Sequence, residues 1–256
     1  MDGLQLTPLP ALADNYIWLL ADAGGSAVAV DPGESAPVQG FLQAAGLRLR
    51  AILLTHHHGD HIAGAAALAA ASGAIIHAPH DARIGHADRR VSDGEQVVLE
   101  EPALSFRVIA VPGHTRSHVA YHGHGLLFCG DTLFSMGCGR LFEGTPGEML
   151  ASLERLAALP GDTRVCCGHE YTLANCAFAR RIEPENAALA AREADARARR
   201  ARGEPTLPST LASELACNPF LRIDAPALVE ALPGADRIER FAELRRRKDA
   251  FRMPAQ

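Results

Sequence analysis

The sequence predicts an α/β protein with layered strands and helices, followed by a region made of helices alone. Short aliphatic runs alternate with helical patterns as far as about residue 170, which favours packed layers with helices on the outer faces. Beyond that point strand patterns stop. Several strands also end in glycine followed by an acidic or imidazole side chain, as in sites built on strand-end loops.

The predicted strands share a short aliphatic run bounded by glycine, proline or polar residues. They are 27–30, 51–54, 74–76, 106–111, 126–129 and 163–167. The helices predicted among them are 38–45, 62–71 and 146–159. Later helices are predicted at 173–181, 185–202, 211–216 and 235–248, separated by proline- and glycine-containing breaks. We therefore expect two domains, residues 1–170 and 171–256.

The segment from Thr55 to His61 reads Thr-His-His-His-Gly-Asp-His and follows a predicted buried strand. His56 and His58, two residues apart, can leave an extended backbone on the same side. Asp60 and His61 lie just past them, where the chain turns, and can be directed at a second point nearby. This pattern predicts two metal ions rather than one.

Three further strand ends carry candidate ligands: His114 after Gly113, Asp131 after Gly130, and His169 after Gly168. Glycine lets the backbone turn sharply and allows a ligand to approach closely. Each loop alone is a weak signal, but four such loops in one chain are hard to ascribe to chance. Histidine and carboxylate without thiolate suit zinc, iron or manganese.

Composition excludes several other classes of protein. The chain has 256 residues, of which 48% are hydrophobic, enough for a sizeable core. Its net charge of −5 argues against nucleic acid as a main partner. There is no run of 18 apolar residues, so no membrane span is expected. Met1-Asp2 begins no secretion signal, and the six cysteines form no Cys-x-x-Cys pair, so we expect a cytoplasmic protein without a disulfide framework.

The succession His-x-His-x-Asp-His, Gly-His-Thr, Gly-Asp-Thr and Gly-His-Glu resembles the metallo-β-lactamase superfamily. Within it, the chain resembles the glyoxalase II (hydroxyacylglutathione hydrolase) family. The matching segments, beyond 55–61, are 130–134, 137–144, 167–172, 218–220 and 245–249. The last two lie outside the core that the superfamily shares. The resemblance implies an αββα metallo-β-lactamase-type sandwich with a C-terminal helical substrate-binding domain.

The resemblance also implies a ligand set. It assigns His56, His58 and His114 to one ion, Asp60, His61 and His169 to a second, and Asp131 to a bridge between them. His57 would point away. Two divalent ions per chain are expected, zinc foremost and iron or manganese otherwise, with Asp60 and Asp131 having catalytic roles.

The implied activity is hydrolysis of S-acyl glutathione thioesters, S-D-lactoylglutathione giving D-lactate and glutathione, by a metal-bridged hydroxide. The implied substrate-binding residues are Arg140, Tyr171, Arg245 and Lys248, whose cations suit the two carboxylates of glutathione. Lys248 is the only lysine in the chain. Phe142 stands where some relatives have tyrosine, so one hydroxyl contact is missing there. We expect a monomer whose partner is this small thioester.

Three alternatives remain open. A lactonase or β-lactamase would share the metal loops but not the basic helical tail. A persulfide dioxygenase uses one iron and would not need the second ligand set. A catalytically silent binding module would lack one or more ligands, whereas this sequence retains all seven.

Overall fold

The computed structural model describes residues 3–234 and 236–253. The strands are β1 (Gln5–Ala11), β2 (Asn15–Ala21), β3 (Ser26–Val30), β4 (Arg48–Leu53), β5 (Ile75–Pro79), β6 (Arg89–Val91), β7 (Gln96–Leu99), β8 (Leu104–Ala110), β9 (Val119–Gly123), β10 (Leu126–Gly130), β11 (Leu133–Phe134), β12 (Gly137–Cys138), β13 (Arg164–Cys167) and β14 (Ser209–Thr210). The helices are α1 (Ala36–Ala45), α2 (Gly59–Ile62), α3 (Ala65–Ser72), α4 (Pro146–Ala157), α5 (Thr172–Ile182), α6 (Ala187–Ala201), α7 (Leu211–Cys217), α8 (Pro226–Ala231) and α9 (Arg237–Ala250), with a 3-10 helix at Pro219–Leu221.

The chain divides into two compact units. The first unit comprises the residues up to 110 together with 117–130, and the second comprises 111–116 together with 131 onward. Strands β1 to β10 and helices α1 to α3 lie in the first unit, and the remaining elements lie in the second. The domain boundary predicted at residue 170 stays a prediction.

The first unit contains a sheet of six strands in the order β1-β2-β3-β4-β5-β6. Strands β1, β2 and β3 pair antiparallel, and β3, β4, β5 and β6 pair parallel. Parallel neighbours need a crossover, which α1 supplies between β3 and β4, and α2 with α3 between β4 and β5. Ile17, Ile52, Val38 and Leu68 are among the buried residues of the core beneath these helices.

Strands β7, β8, β9 and β10 of the first unit follow one another as antiparallel neighbours. Tyr121 on β9 is fully buried, and its hydroxyl donates a hydrogen bond of 3.0 Å to the carbonyl of Leu54. Burial raises the pKa of this phenol, so it stays a donor. This hydrogen bond holds in place the segment that leads from β4 to Thr55.

The second unit is mainly helical, and several of its helices begin at side chains that accept backbone hydrogen bonds. Thr145 and Glu148 form a reciprocal cap at the start of α4, and Asn186 and Asp236 cap α6 and α9. Charged pairs four residues apart, such as Arg197 with Glu193, line α6 as the sequence predicted for a solvated helix. Within the described residues, no helix is long and apolar enough to span a bilayer.

The six predicted strands are confirmed as parts of β3, β4, β5, β8, β10 and β13, with bounds that differ by at most three residues. The helix predicted at 62–71 is instead two helices, α2 and α3. The expectation of helices alone after residue 170 is wrong in one respect, because β14 pairs antiparallel with β13. Helix α8 was not predicted. Ala235, the predicted start of the last helix, lies outside the described residues, and α9 is described from Arg237.

Candidate metal centre and substrate pocket

Four predicted ligands lie in the first unit, immediately after β4. His56 is fully buried, and its Nε2 lies 3.1 Å from Nδ1 of His58. Two nitrogen atoms bound tetrahedrally to one zinc ion are roughly 3.3 Å apart, because each Zn–N bond is about 2.0–2.1 Å. The spacing of these two imidazoles therefore fits a shared ion.

Asp60 and His61 lie on α2, with His61 Nε2 3.4 Å from Asp60 Oδ2. Asn15 on β2 donates a hydrogen bond of 3.0 Å to the same carboxylate oxygen. The loop after β3 approaches so closely that a Cβ at Gly33 would lie 1.9 Å from the carbonyl oxygen of Asp60. Only glycine fits there, so the backbone of Asp60 is held by direct packing.

Asp31 was not predicted, yet it is buried at the centre of this ligand group. Its carboxylate accepts hydrogen bonds from the amide (2.8 Å) and hydroxyl (2.7 Å) of Thr55, and lies 3.0 Å from His61 Nδ1. If Nδ1 carries the proton, Nε2 of His61 is left with its lone pair directed at a metal. Asp31 follows β3 in Val-Asp-Pro-Gly, where the acid precedes the glycine, so it lacks the glycine-then-ligand pattern that identified the other loops.

His118 is a second unpredicted residue beside these ligands. Its ring stacks on the ring of His56 with 4.6 Å between centroids and 14° between planes. Gly130 has a φ of +46°, and a Cβ there would lie 2.3 Å from the Thr55 hydroxyl and 2.9 Å from the His118 ring. The sequence offers little signal for His118, because it follows no strand-end glycine.

The second unit holds the other three predicted ligands. Asp131 Oδ2 lies 3.4 Å from His114 Nε2 and also 3.4 Å from His169 Nε2. His114 Nδ1 lies 2.9 Å from the carbonyl oxygen of Arg140, which requires that Nδ1 be the protonated nitrogen. The other nitrogen of His114 is then available to a metal. One carboxylate shared between two imidazoles is the arrangement that a bridging role needs.

Glycines again permit the close approach around these residues. A Cβ at Gly139 would lie 1.9 Å from the carbonyl oxygen of Asp131 and 3.1 Å from His114 Nδ1. Gly113 has a φ of +152°, and a Cβ there would lie 2.8 Å from Cβ of Met149 on α4. The loops that carry His114 and Asp131 are therefore packed against each other and against α4 without room for a side chain.

His57 lies against Asp81, its Nδ1 3.5 Å from a carboxylate oxygen. The same carboxylate accepts a hydrogen bond of 2.6 Å from the Ser117 hydroxyl and is paired with Arg83. Hydrogen bonding to Arg83 and Ser117 holds the pKa of Asp81 well below its usual range. Asp81 is thus an ionised anchor beside the middle histidine of the run.

A pocket of about 390 Å³ in the second unit contains two of the predicted metal ligands and all four predicted substrate-binding residues. It is lined by His114, Asp131, Phe134, Cys138, Arg140, Phe142, Tyr171, Ala174, Asn175, Arg245, Lys248 and Phe251. Its volume is that of a typical small-molecule site. The structure therefore brings two of the candidate metal ligands and the candidate cations to one cavity.

The aromatic residues of this pocket contact the ligands directly. Tyr171 stacks on His169 with 4.6 Å between ring centroids and 7° between planes. Phe142 is 62% exposed, and its ring lies edge-on to His114 with centroids 5.2 Å apart. An apolar ring thus stands where the resemblance implied that some relatives have a tyrosine.

Of the predicted substrate-binding cations, Arg245 has a guanidinium that is buried and already bonded to other groups of the protein. It is 5% exposed, its Nη1 donates 2.7 Å to the carbonyl of Cys138, and its Nη2 lies 2.9 Å from Asp249 Oδ1. Its guanidinium carbon also lies 5.2 Å from the centroid of the Phe220 ring. Burial raises the pKa of the neighbouring Cys138 thiol to about 11, so this thiol is neutral beside Arg245.

Comparisons with known proteins agree with this geometry. Residues 13–169 match the metallo-β-lactamase superfamily, and residues 170–251 match the hydroxyacylglutathione hydrolase C-terminus. A hydroxyacylglutathione hydrolase of Xanthomonas campestris is 53% identical, over 97% of this chain and 100% of that protein.

Two solved structures show the same fold. The B3 metallo-β-lactamase BLEG-1 has a TM-score of 0.64 at 24% identity, over 86% of this chain and 99% of its own. The protein TTHA1623, solved in a di-iron-bound form, has a TM-score of 0.56 at 29% identity, over 64% of this chain and 91% of its own. These likenesses confirm the predicted sandwich with a C-terminal helical domain. With a relative so similar over nearly its whole length, the chain belongs to the hydroxyacylglutathione hydrolase family of the metallo-β-lactamase superfamily.

Proposed function

We propose that this protein hydrolyses S-acyl glutathione thioesters, converting S-D-lactoylglutathione to D-lactate and glutathione. The observation that supports this most directly is the pocket of the second unit. It contains the ligands His114 and Asp131 together with the cations Arg140 and Lys248, so a carbonyl and a carboxylate of one molecule can be bound at the same time. The name of the Xanthomonas relative describes the same reaction.

The seven residues His56, His58, Asp60, His61, His114, Asp131 and His169 are proposed to hold two divalent ions, zinc foremost and iron or manganese otherwise. Imidazole and carboxylate donors fit these metals. The spacing of His56 and His58 in the first unit and the sharing of Asp131 in the second support the assignment. The di-iron form of the similar TTHA1623 structure supports a pair of ions.

When bound, such ions would lower the pKa of water from about 15.7 towards about 7 and so provide hydroxide for hydrolysis at neutral pH. Asp60 and Asp131 supply the negative charge that retains the ions, and Asn15 orients Asp60. Asp31 and the carbonyl of Arg140 set which nitrogen of His61 and His114 is protonated.

The cations of the pocket bind and orient the substrate. Lys248 and Arg140 suit the carboxylates of the glutathione moiety, and Tyr171 offers a hydroxyl close to His169. The leaving thiolate needs no strong acid, because a thiol has a pKa of about 8.5. Because hydroxide is the proposed nucleophile, the chain needs neither a serine nor a cysteine nucleophile, in accord with the raised pKa of Cys138.

The roles of the two domains, the cellular compartment and the oligomeric state are part of the same proposal. Residues 1–170 are the catalytic domain, and 171–256 supply most of the substrate contacts. The protein acts in the cytoplasm, which the six buried cysteine thiols support, since thiols persist in reducing compartments. It acts as a monomer, which sedimentation of the purified protein would check.

The test is a metal-dependence experiment on the purified full-length chain. It should contain close to two ions per chain and hydrolyse S-D-lactoylglutathione. A chelator should abolish turnover, and restoring zinc to the stripped protein should recover it. Normal turnover by metal-free protein would contradict the proposed function.

A further inference from the structure

The side chain of Lys248 lies between two aromatic rings. Its Nζ is 5.3 Å from the centroid of Phe178 on α5 and 5.3 Å from the centroid of Phe251, which follows α9. In the described part of the chain its ammonium donates one hydrogen bond, of 3.3 Å, to the carbonyl of Ala174. The aromatic faces therefore supply most of the contacts that locate this charge.

A lysine without such contacts would not hold one position. Its four-carbon stem is flexible, so a solvated Lys248 would sample much of the pocket mouth. An ammonium is attracted to the negative face of an aromatic ring, which opposes that freedom. The two rings can fix the ammonium while leaving its remaining donors for a ligand.

The rings are themselves anchored. Phe178 is 3% exposed, stacks on Phe220 with 6.3 Å between centroids, and lies 5.6 Å from Phe251. The guanidinium carbon of Arg181 lies 4.9 Å from the Phe251 centroid, so a second cation rests on that ring. These contacts give the pair the rigidity that a positioning role needs.

The titratable and charged groups near Lys248 come from three segments. Arg245 and Asp249 lie on α9 beside it, Cys138 and Arg140 belong to β12 and the residues after it, and α5 contributes Arg181 over Phe251. Burial, followed by the charge of Arg245, lowers the pKa of Lys248 to about 8. The charge is thus close to being lost at physiological pH, and the rings oppose that loss.

We propose that Phe178 and Phe251 are positioning residues that hold the Lys248 ammonium in its charged form, at a fixed point of the pocket, for a substrate carboxylate. The kinetic consequence rests on the proposed function, but the clamp itself can be measured without substrate. Replacement of either phenylalanine by leucine keeps an apolar neighbour and removes the aromatic face. Replacement of Phe251 by tyrosine keeps both.

The single lysine makes a direct spectroscopic test possible. Full-length zinc-loaded protein carrying [13C]lysine gives one Cε/Hε signal, and protons above an aromatic face resonate upfield. We expect an upfield Hε signal in the wild type that moves towards the value of free lysine in Phe251→Leu and Phe178→Leu. Phe251→Tyr and the control Phe41→Leu, which alters a ring on α1 of the first unit, should leave it upfield.

Titration of the same signal separates a clamp from a merely structural role. In a leucine variant the ammonium stays buried but loses its aromatic stabilisation, so its pKa should fall below that of the wild type. Simple loosening would admit water and raise the pKa instead. An unshifted Hε signal in the wild type, or a pKa that rises in both leucine variants, would overturn the clamp.

Kinetics then test whether the clamp serves substrate binding. The KM for a glutathione thioester should rise about 2- to 5-fold in Phe251→Leu at unchanged kcat, and return in Phe251→Tyr. An unchanged KM in a variant whose lysine signal has moved would overturn the positioning role. Absence of thioester turnover in the wild type would instead refute the proposed function, leaving the spectroscopic result intact.

Discussion

The three cationic side chains of the pocket differ in how strongly other groups of the protein already engage them. Arg140 has a side chain that is 58% exposed and only a 3.5 Å contact with Asp249, so it can turn towards a ligand. Arg245 already bonds a backbone carbonyl and a carboxylate. Lys248 lies between these extremes, half-buried, with a lowered pKa. The three cations that the sequence grouped together therefore have different roles open to them.

The charge of Lys248 sets an alkaline limit on substrate binding. The ammonium is present below its pKa and is lost as the pH rises through about 8. We expect kcat/KM for a glutathione thioester to fall across that range in the wild type. Lys248→Arg should keep its charge and remove this alkaline fall, while Lys248→Ala should show a raised KM below about pH 8 and approach the wild type above it. If kcat/KM of Lys248→Arg fell with rising pH as it does in the wild type, the assignment would be contradicted.

Arg245→Ala should lower stability as well as substrate affinity. The variant removes a guanidinium that bonds the Cys138 carbonyl and Asp249 in a buried setting, which typically costs about 1–3 kcal/mol. Urea unfolding should show a lowered midpoint, and steady-state kinetics a raised KM. Arg252→Ala, whose guanidinium among the described residues bonds nearby carbonyls at the surface, is the matched control and should unfold like the wild type.

At the scale of elements, the ligands are placed by loops that pack against one another through glycine. The loop after β12 meets the loop after β10 at Gly139, and the loop after β8 meets α4 at Gly113. Ser152 on α4 also donates a hydrogen bond of 2.7 Å to the carbonyl of Pro112. A displacement of any one loop would therefore move His114 or Asp131.

Gly139→Ala tests this packing. The new Cβ would lie 1.9 Å from the carbonyl oxygen of Asp131, and a backbone atom cannot move aside as a flexible side chain can. We expect less bound metal per chain and at least a tenfold loss of kcat/KM. Gly147→Ala on α4 adds the same methyl group 3.5 Å from Ile238, an ordinary contact, and should retain both metal and activity. Equal metal content in the two variants would contradict the argument.

Strands and helices were predictable where the residues of the element itself reflect how it is buried. Strands β3 and β4 are aliphatic runs because parallel strands are buried on both faces. Strand β1 was missed because Pro8 and Pro10 argue against a strand, yet it lies at the sheet edge, where proline is tolerated. The helix predicted at 62–71 breaks because Gly64 packs against the backbone of Glu34, a contact that no local pattern reveals.

The candidate site was likewise only partly predictable. Residues that follow a strand-end glycine, such as His114 and Asp131, carry a local signal. Asp31 supports His61 from 30 positions away, and His118, the residue before β9, stacks on His56. Their roles depend on tertiary contacts, which neither spacing nor composition encodes.

At the scale of the whole molecule, each compact unit supplies part of the proposed ligand set. Three of the seven ligands lie in the second unit, with Asp131 contacting the other two. Asp131→Ala should therefore reduce metal content and activity together by removing the shared carboxylate. Mass spectrometry under native conditions and a thioester assay on the same sample would show both effects. A fully loaded but inactive variant would assign Asp131 a different role.

The identity of the leaving group as glutathione is tested most directly by comparing substrates side by side. One preparation would be assayed with S-D-lactoylglutathione, the same acyl group on a small uncharged thiol, a β-lactam and a lactone. Because Arg140 and Lys248 are cations that recognise carboxylates, the glutathione ester should have by far the highest kcat/KM. Comparable values for the two thioesters, or faster turnover of the β-lactam or the lactone, would contradict the claim.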